Sequence, residues 1–129
     1  VHDLAVSATD APATATISAL SGDLRLDGSA SVAGMADNYM GANLDVAATG
    51  ALDTSGASVT VANSGSGAAA NAMANLHAWN GAATLGQTSV NAEGGSAYLF
   101  ASAGDSLDVP ADLRATSAAA SLSSRASRW

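Results

Sequence analysis

Apolar and polar residues alternate along most of this chain, and the apolar member is usually alanine. Leu4, Val6 and Ala8 share one face of an opening segment. Ala13, Ala15, Ile17 and Ala19 then alternate with Thr14, Thr16 and Ser18. Pro12 separates the two segments, because proline cannot donate to a strand ladder, so residues 1–11 read as an extended arm ahead of a β-domain over 12–109. Leu24 and Leu26, then Ala30 and Val32, flank Asp27-Gly28, a hairpin or corner signal. The clearest alternation follows in Ala42, Leu44, Val46 and Ala48, and again in Ala57, Val59 and Val61. Further strands are predicted over 88–92, 97–103 and 106–109. A period of two is the signature of a strand with one buried face.

Two stretches are less decided. Residues 68–79 are alanine-rich enough for a short helix, yet Ala72, Ala74, Leu76 and Ala78 alternate with Met73, Asn75, His77 and Trp79, which favours a strand. Pro110-Ala111-Asp112 resembles a helix start, with proline in the first turn and an acid at the positive end. Residues 110–129 therefore read as a C-terminal helix or an extended tail. Units centred on leucine or valine recur near 24–26, 44–46, 59–61, 76, 98–100 and 107–109, at irregular spacings. The expected fold is all-β: a small-residue β-sandwich or an irregular β-solenoid, with a short C-terminal helix as an added element.

Composition narrows this picture. Of 129 residues, 33 are alanine, 18 serine and 13 glycine. Leu, Ile, Val and Phe number only 22, under the roughly 20% below which disorder becomes a serious reading. Disorder also requires low hydrophobicity and high charge; here the net charge is -7 and mean hydropathy is positive at +0.21. Buried alanine costs little side-chain entropy but removes little apolar surface, so stacking between repeats or between copies is expected to supply the missing burial. No cysteine is present, which excludes disulfides and thiolate metal sites. Four arginines against eleven carboxylates argue against nucleic acid as a partner. Three of those arginines, Arg114, Arg125 and Arg128, lie near the C-terminus, so the body is acidic and the tail basic, a head-to-tail asymmetry. No apolar run is long enough for a membrane helix. Val1 in place of Met and the lack of an N-x-[ST] acceptor favour a mature, secreted bacterial or archaeal product found outside the cell or at its surface.

Candidate chemistry is sparse. The histidines are His2 and His77, and no G-x-S-x-G elbow accompanies the many serines. No enzyme is expected; a hydrolase would require His77 beside a serine and a carboxylate. His77, Trp79 and Tyr98 form a candidate surface aromatic patch, suited to a polysaccharide or cell-surface contact. Tyr39 and Phe100 are the other aromatics within the β-domain, and the terminal Trp129 is a candidate anchor into a neighbouring copy. No cofactor is expected beyond weak calcium candidates, Asp105, Asp108 and Asp112, with Asp37, Asn38 and Asp45 as a second acidic group. Neither group has EF-hand spacing.

The strand edges carry the functional expectation. Soluble β-proteins guard open edges with lysine, inward charges or proline. This chain has no lysine and two prolines, and its longest alternating stretches contain one charge, Asp45. The segment from Gly56 through Asn63 to Gly67, with Asn71, Asn75 and Asn91, resembles curlin-type fibre subunits and filamentous-haemagglutinin-like β-helices. That resemblance implies an extracellular fibre or adhesin that assembles through its strands. The expectation is a homopolymer, with Leu4, Val6 and Ala8 as the donated polymerisation strand; the alternative is a monomeric carbohydrate- or ice-binding β-domain.

Overall fold

A computed structural model describes residues 2–37, 41–110, 112–117 and 119–126. Within them the chain forms fourteen strands and no helix: β1 (His2–Ser7), β2 (Ala13–Ala19), β3 (Leu24–Arg25), β4 (Asp27–Gly34), β5 (Ala42–Ala48), β6 (Leu52–Asp53), β7 (Ala57–Asn63), β8 (Ala72–Ala78), β9 (Ala83–Thr84), β10 (Gln87–Ala92), β11 (Ser96–Ala103), β12 (Leu107–Asp108), β13 (Leu113–Thr116) and β14 (Ala119–Ala126). They build three sheets, each taking every third strand. Sheet A has the order β1-β4-β7-β10-β13, sheet B the order β14-β11-β8-β5-β2, and sheet C the order β12-β9-β6-β3. Every pairing is parallel. The chain thus winds as a β-solenoid of about four turns, each turn visiting A, then B, then C. We call each turn a rung.

Register explains how so much alanine suffices. In sheet B, the inward columns at the strand ends are alanine throughout the first four rungs: Ala13, Ala42, Ala72 and Ala97 at one end, Ala19, Ala48, Ala78 and Ala103 at the other. The larger side chains occupy the middle of the strands. There Ala15, Leu44, Ala74 and Leu99 alternate small and large from rung to rung, beside Ile17, Val46, Leu76 and Ala101. Sheet A contributes a ladder of Val6, Val32, Val61 and Val90. Sheet C adds Leu24, Leu52, Ala83 and Leu107. The bore enclosed by three short sheets is narrow, so bulk is needed only along its axis, and methyl groups fill the corners. Leu44, Leu76, Leu99, Val61 and Val90 are all fully buried. Leu76→Ala is expected to lower stability by about 2–5 kcal/mol, measurable as a shift in the urea midpoint.

The corners are built from turn chemistry and close backbone approach. Gly28, at φ 75°, turns the chain from sheet C into sheet A, so the Asp27-Gly28 signal is a corner between parallel sheets and not a hairpin. Between sheets B and C, a Cβ on Gly81 would strike the backbone of Gly50 and Ala51 in the rung before it. The corner between A and B is held by Asn63, 1% exposed. Its Nδ2 donates to the carbonyls of Ala36 and Asn71, both at 2.9 Å, and its Oδ1 accepts from the N–H of Ala36 at 3.2 Å and of Gly65 at 3.0 Å.

The C-terminal segment departs from the expected helix. Leu113–Thr116 pairs with β10, and Ala119–Ala126 pairs with β11 along its whole length. Once a stacked edge is available, each added strand satisfies a full row of backbone groups, and this outweighs the local helix-start signal of Pro110 and Asp112. Residues 68–79 resolve into a turn followed by strand β8, the strand reading favoured by their alternation.

Candidate functional site

The outer face of sheet B gathers the aromatic residues. Alternation turns Met73, Asn75 and His77 of β8 and Tyr98, Phe100 and Ser102 of β11 outward, and all are half-buried by their neighbours. Parallel register places Met73 beside Tyr98, Asn75 beside Phe100 and His77 beside Ser102. Trp79 follows directly after β8 with 64% of its surface exposed, and Gly104 lies beside it. The imidazole of His77 stacks on Trp79 with centroids 5.9 Å apart, and Tyr98 stacks on Phe100 at 6.1 Å. The predicted patch of His77, Trp79 and Tyr98 therefore lies on one face. Phe100, Asn75 and Ser102 join it, and their even spacing from Tyr98 and His77 along the two strands was the signal available for finding them.

His77 Nδ1 lies 2.7 Å from Ser102 Oγ, within hydrogen-bonding distance. The pair has the outline of a nucleophile and base, but its setting is mid-sheet. Strand β11 is hydrogen-bonded to β8 on one side and β14 on the other. The N–H groups around Ser102 are therefore consumed by the ladder and cannot stabilise an oxyanion. What the contact does is fix the orientation of the imidazole beneath Trp79.

The acidic candidates are dispersed. Asp108 sits on β12 beside Thr84, Asp105 lies in the turn after β11, and Asp112 is exposed with its carboxylate 3.6 Å from Arg114. Asp37 belongs to a different corner, where its Oδ1 accepts from the N–H of Gly67 at 2.9 Å. It lines a cleft of about 510 Å³ together with Asp10, Pro12, Met35, Ser64 and Ser66. Asp45 stands on β5, beside Thr16 and Asn75, and Asn38 lies outside the described residues. Among the described residues no three His, Cys, Asp or Glu side chains are grouped to hold a metal ion. On sheet C, hydrogen bonds from the Ser55 hydroxyl and N–H hold the Asp53 carboxyl below its ordinary range, with the charge of Arg25 adding to them. The Arg25 guanidinium is raised in turn, chiefly by its 2.9 Å hydrogen bond to Asp27.

The ends of the solenoid are the second candidate surface. Leu4, Val6 and Ala8, predicted as a donated strand, belong to the first rung: β1 pairs with β4, and the three side chains pack half-buried against the core. Asp3 Oδ1 accepts from the N–H of Ser29 at 2.8 Å and secures the start of that strand. Among the described residues, no strand lies beyond β1, β2 and β3 at one end, or beyond β13, β14 and β12 at the other. Trp129, the predicted anchor, lies outside the described residues, as does Tyr39. No helix among the described residues is long and apolar enough to cross a membrane.

Fold and surface together define the class: a parallel β-solenoid with three sheets, small-residue walls and one aromatic outer face. No family model, curated protein or solved structure matches the chain.

Proposed function

We propose that this chain is a non-enzymatic structural subunit of a secreted filament or surface adhesin, polymerising by stacking the first rung of one copy on the last rung of another. The observation that carries the reading is the state of the end strands. Strand β2 contains no charged residue, β14 contains only Arg125, and neither contains proline. Edge strands of solitary β-proteins are guarded against pairing; the two sheet B ends are the least guarded here, while β1 carries Asp3 and a bulge, β3 Arg25, β12 Asp108 and β13 Arg114. Register supports the same reading. In register, Ala120 and Ala126 of β14 stand opposite Ala97 and Ala103, so another copy's β2 could follow β14 as β5 follows β2.

On this reading Leu4, Val6 and Ala8 act as the sheet A portion of a stacking edge, within their own rung. The resemblance of the Gly56–Gly67 region to fibre-forming β-proteins points the same way.

Electron microscopy and sedimentation of the purified protein over a rising concentration series test this. Unbranched filaments, one solenoid wide and appearing above a threshold concentration, are expected. A monodisperse monomer at the highest concentration would overturn the proposal.

A further inference from the structure

The aromatic face of sheet B is not used by end-to-end stacking, since its side chains point away from the solenoid axis. We propose that this face is a binding site for an uncharged saccharide chain. Taken along the strand direction, Tyr98, Phe100, His77 and Trp79 occupy four successive outward positions, the first two on β11 and the last two on the adjacent β8. At about 3.3 Å per residue, the band is about 20 Å long. That is an extended track, suited to several consecutive rings of a linear polymer.

The chemistry of the track selects the ligand. Aromatic faces carry negative charge density and attract weakly positive C–H groups, which a pyranose ring presents on its flat sides. Its equatorial hydroxyls point outward from the ring edge and need hydrogen-bonding partners on either side. Asn75 stands beside Phe100 and Ser102 beside His77, and Tyr98 carries its own hydroxyl. The imidazole of His77 is already oriented by Ser102 at 2.7 Å, so little freedom remains to be lost on binding.

Charge argues against anionic ligands. The chain carries a net charge of -7, yet the outward positions of β8 and β11 hold no carboxylate, arginine or lysine. Asp45 borders the track on β5 and Arg125 on β14, one rung away on either side. A phosphorylated, sulfated or uronic polymer would find no cationic row here, and an anionic lipid surface would find none either. The position of Trp79 supports a ligand role. At 64% exposed it leaves most of the indole open to a ligand, and it makes no contribution to the bore.

The test is binding of the purified protein to neutral linear oligosaccharides, using hexamers of β-1,4-linked glucose and β-1,4-linked N-acetylglucosamine. It is read by tryptophan fluorescence and titration calorimetry, with co-sedimentation on the insoluble polymers. Saturable binding of at least one neutral glycan is expected. Trp79→Ala and Tyr98→Ala should each weaken it tenfold or more, while Leu20→Ala, at an exposed corner, leaves it unchanged. Circular dichroism monitors the fold of each variant. Failure of the wild-type protein to bind either polymer, or binding that Trp79→Ala does not alter, would overturn the assignment. If Trp79→Ala instead abolishes filament formation, the face is a contact between copies and the saccharide site falls. Filament formation by Trp79→Ala at the wild-type threshold separates this site from the stacking edges.

Discussion

Replacing Asn63 with alanine is expected to lower stability by about 2–5 kcal/mol, the cost of leaving several buried or half-buried backbone groups without partners at once. One side chain closes four hydrogen bonds that tie three separate loops together: the exit of β4 at Ala36, the turn after β7 at Gly65, and the entry to β8 at Asn71. Gly41 is shaped around it, since a Cβ there would strike the Asn63 side-chain amide. Alanine would leave the N–H groups of Ala36 and Gly65 and the Ala36 carbonyl without these partners, while the Asn71 carbonyl keeps the Ala42 N–H at 3.2 Å. For a domain with an expected total stability of about 5–15 kcal/mol, this is a large fraction, and a fall in Tm of about 10 °C or more should follow. Asn91→Ala provides the comparison. Asn91 lies on the outer face of sheet A, half-buried and beside Ala62, and its loss should change stability by less than about 0.5 kcal/mol. Equal effects of the two substitutions, measured by urea denaturation, would show that the corner is not held in this way.

Asn63 also illustrates what the chain discloses before its structure is known. Asn63-Ser64-Gly65-Ser66-Gly67 reads as a turn from composition, and a turn is present. Nothing in that string distinguishes an asparagine bonded to its own turn from one that ties together three loops, one of them 27 residues away. Alternation located the strands well, because inward and outward positions obey a period of two in any sheet. It could not tell parallel from antiparallel pairing, since both share that period. The leucine- and valine-centred units at 24–26, 44–46 and 59–61 belong to sheets C, B and A in turn. Their separations are therefore fractions of a rung, and they look irregular. The true spacing joins residues of one sheet: Val46 to Leu76, or Leu24 to Leu52. A better signal lay in the short sheet. Leu24-Arg25-Leu26-Asp27-Gly28, Leu52-Asp53-Thr54-Ser55-Gly56 and Ala83-Thr84-Leu85-Gly86 share an apolar residue at the start and a glycine at the end, with Leu24, Leu52 and Ala83 in register. Two-residue strands escape a search for alternation, yet they set the rung.

The surface patch was legible in part for the same reason. His77 and Trp79 are two residues apart, so a strand puts them on one face. That Tyr98 shares this face depends on the register of β11 against β8, which spans a loop and a complete rung. Of the two readings after Pro110, a helix or an extended tail, no helix forms among the described residues, because local propensity is a weak force beside a stacked edge with a full row of backbone groups to satisfy.

Thr16→Pro is expected to leave the solenoid folded while raising the threshold concentration for filaments tenfold or more. The direction of each backbone group in β2 carries the argument. The N–H of Ala13 donates to Gly41 at 3.1 Å, and the carbonyl of Ala19 accepts from Thr49 at 3.1 Å. Alternate residues of a parallel strand bond to the same side, so Ala13, Ala15, Ile17 and Ala19 face β5, and Thr14, Thr16 and Ser18 direct their N–H and C=O groups to the open end. Proline at 16 removes an N–H that the ladder to β5 does not use, on an edge strand where proline is tolerated. Its side chain replaces one that is exposed. In a stacked filament the same change leaves a carbonyl of the adjoining copy without its donor and sets a ring against the incoming strand. One unsatisfied group costs about 1–3 kcal/mol, and 1.4 kcal/mol is a factor of ten. Ile17→Pro is the counterpart: it breaks a bond to β5 and disturbs the core, so it should unfold the first rung and register in circular dichroism. A Thr16→Pro protein that remains folded and assembles at the wild-type threshold would remove β2 from the interface, and with it the end-to-end mode of assembly.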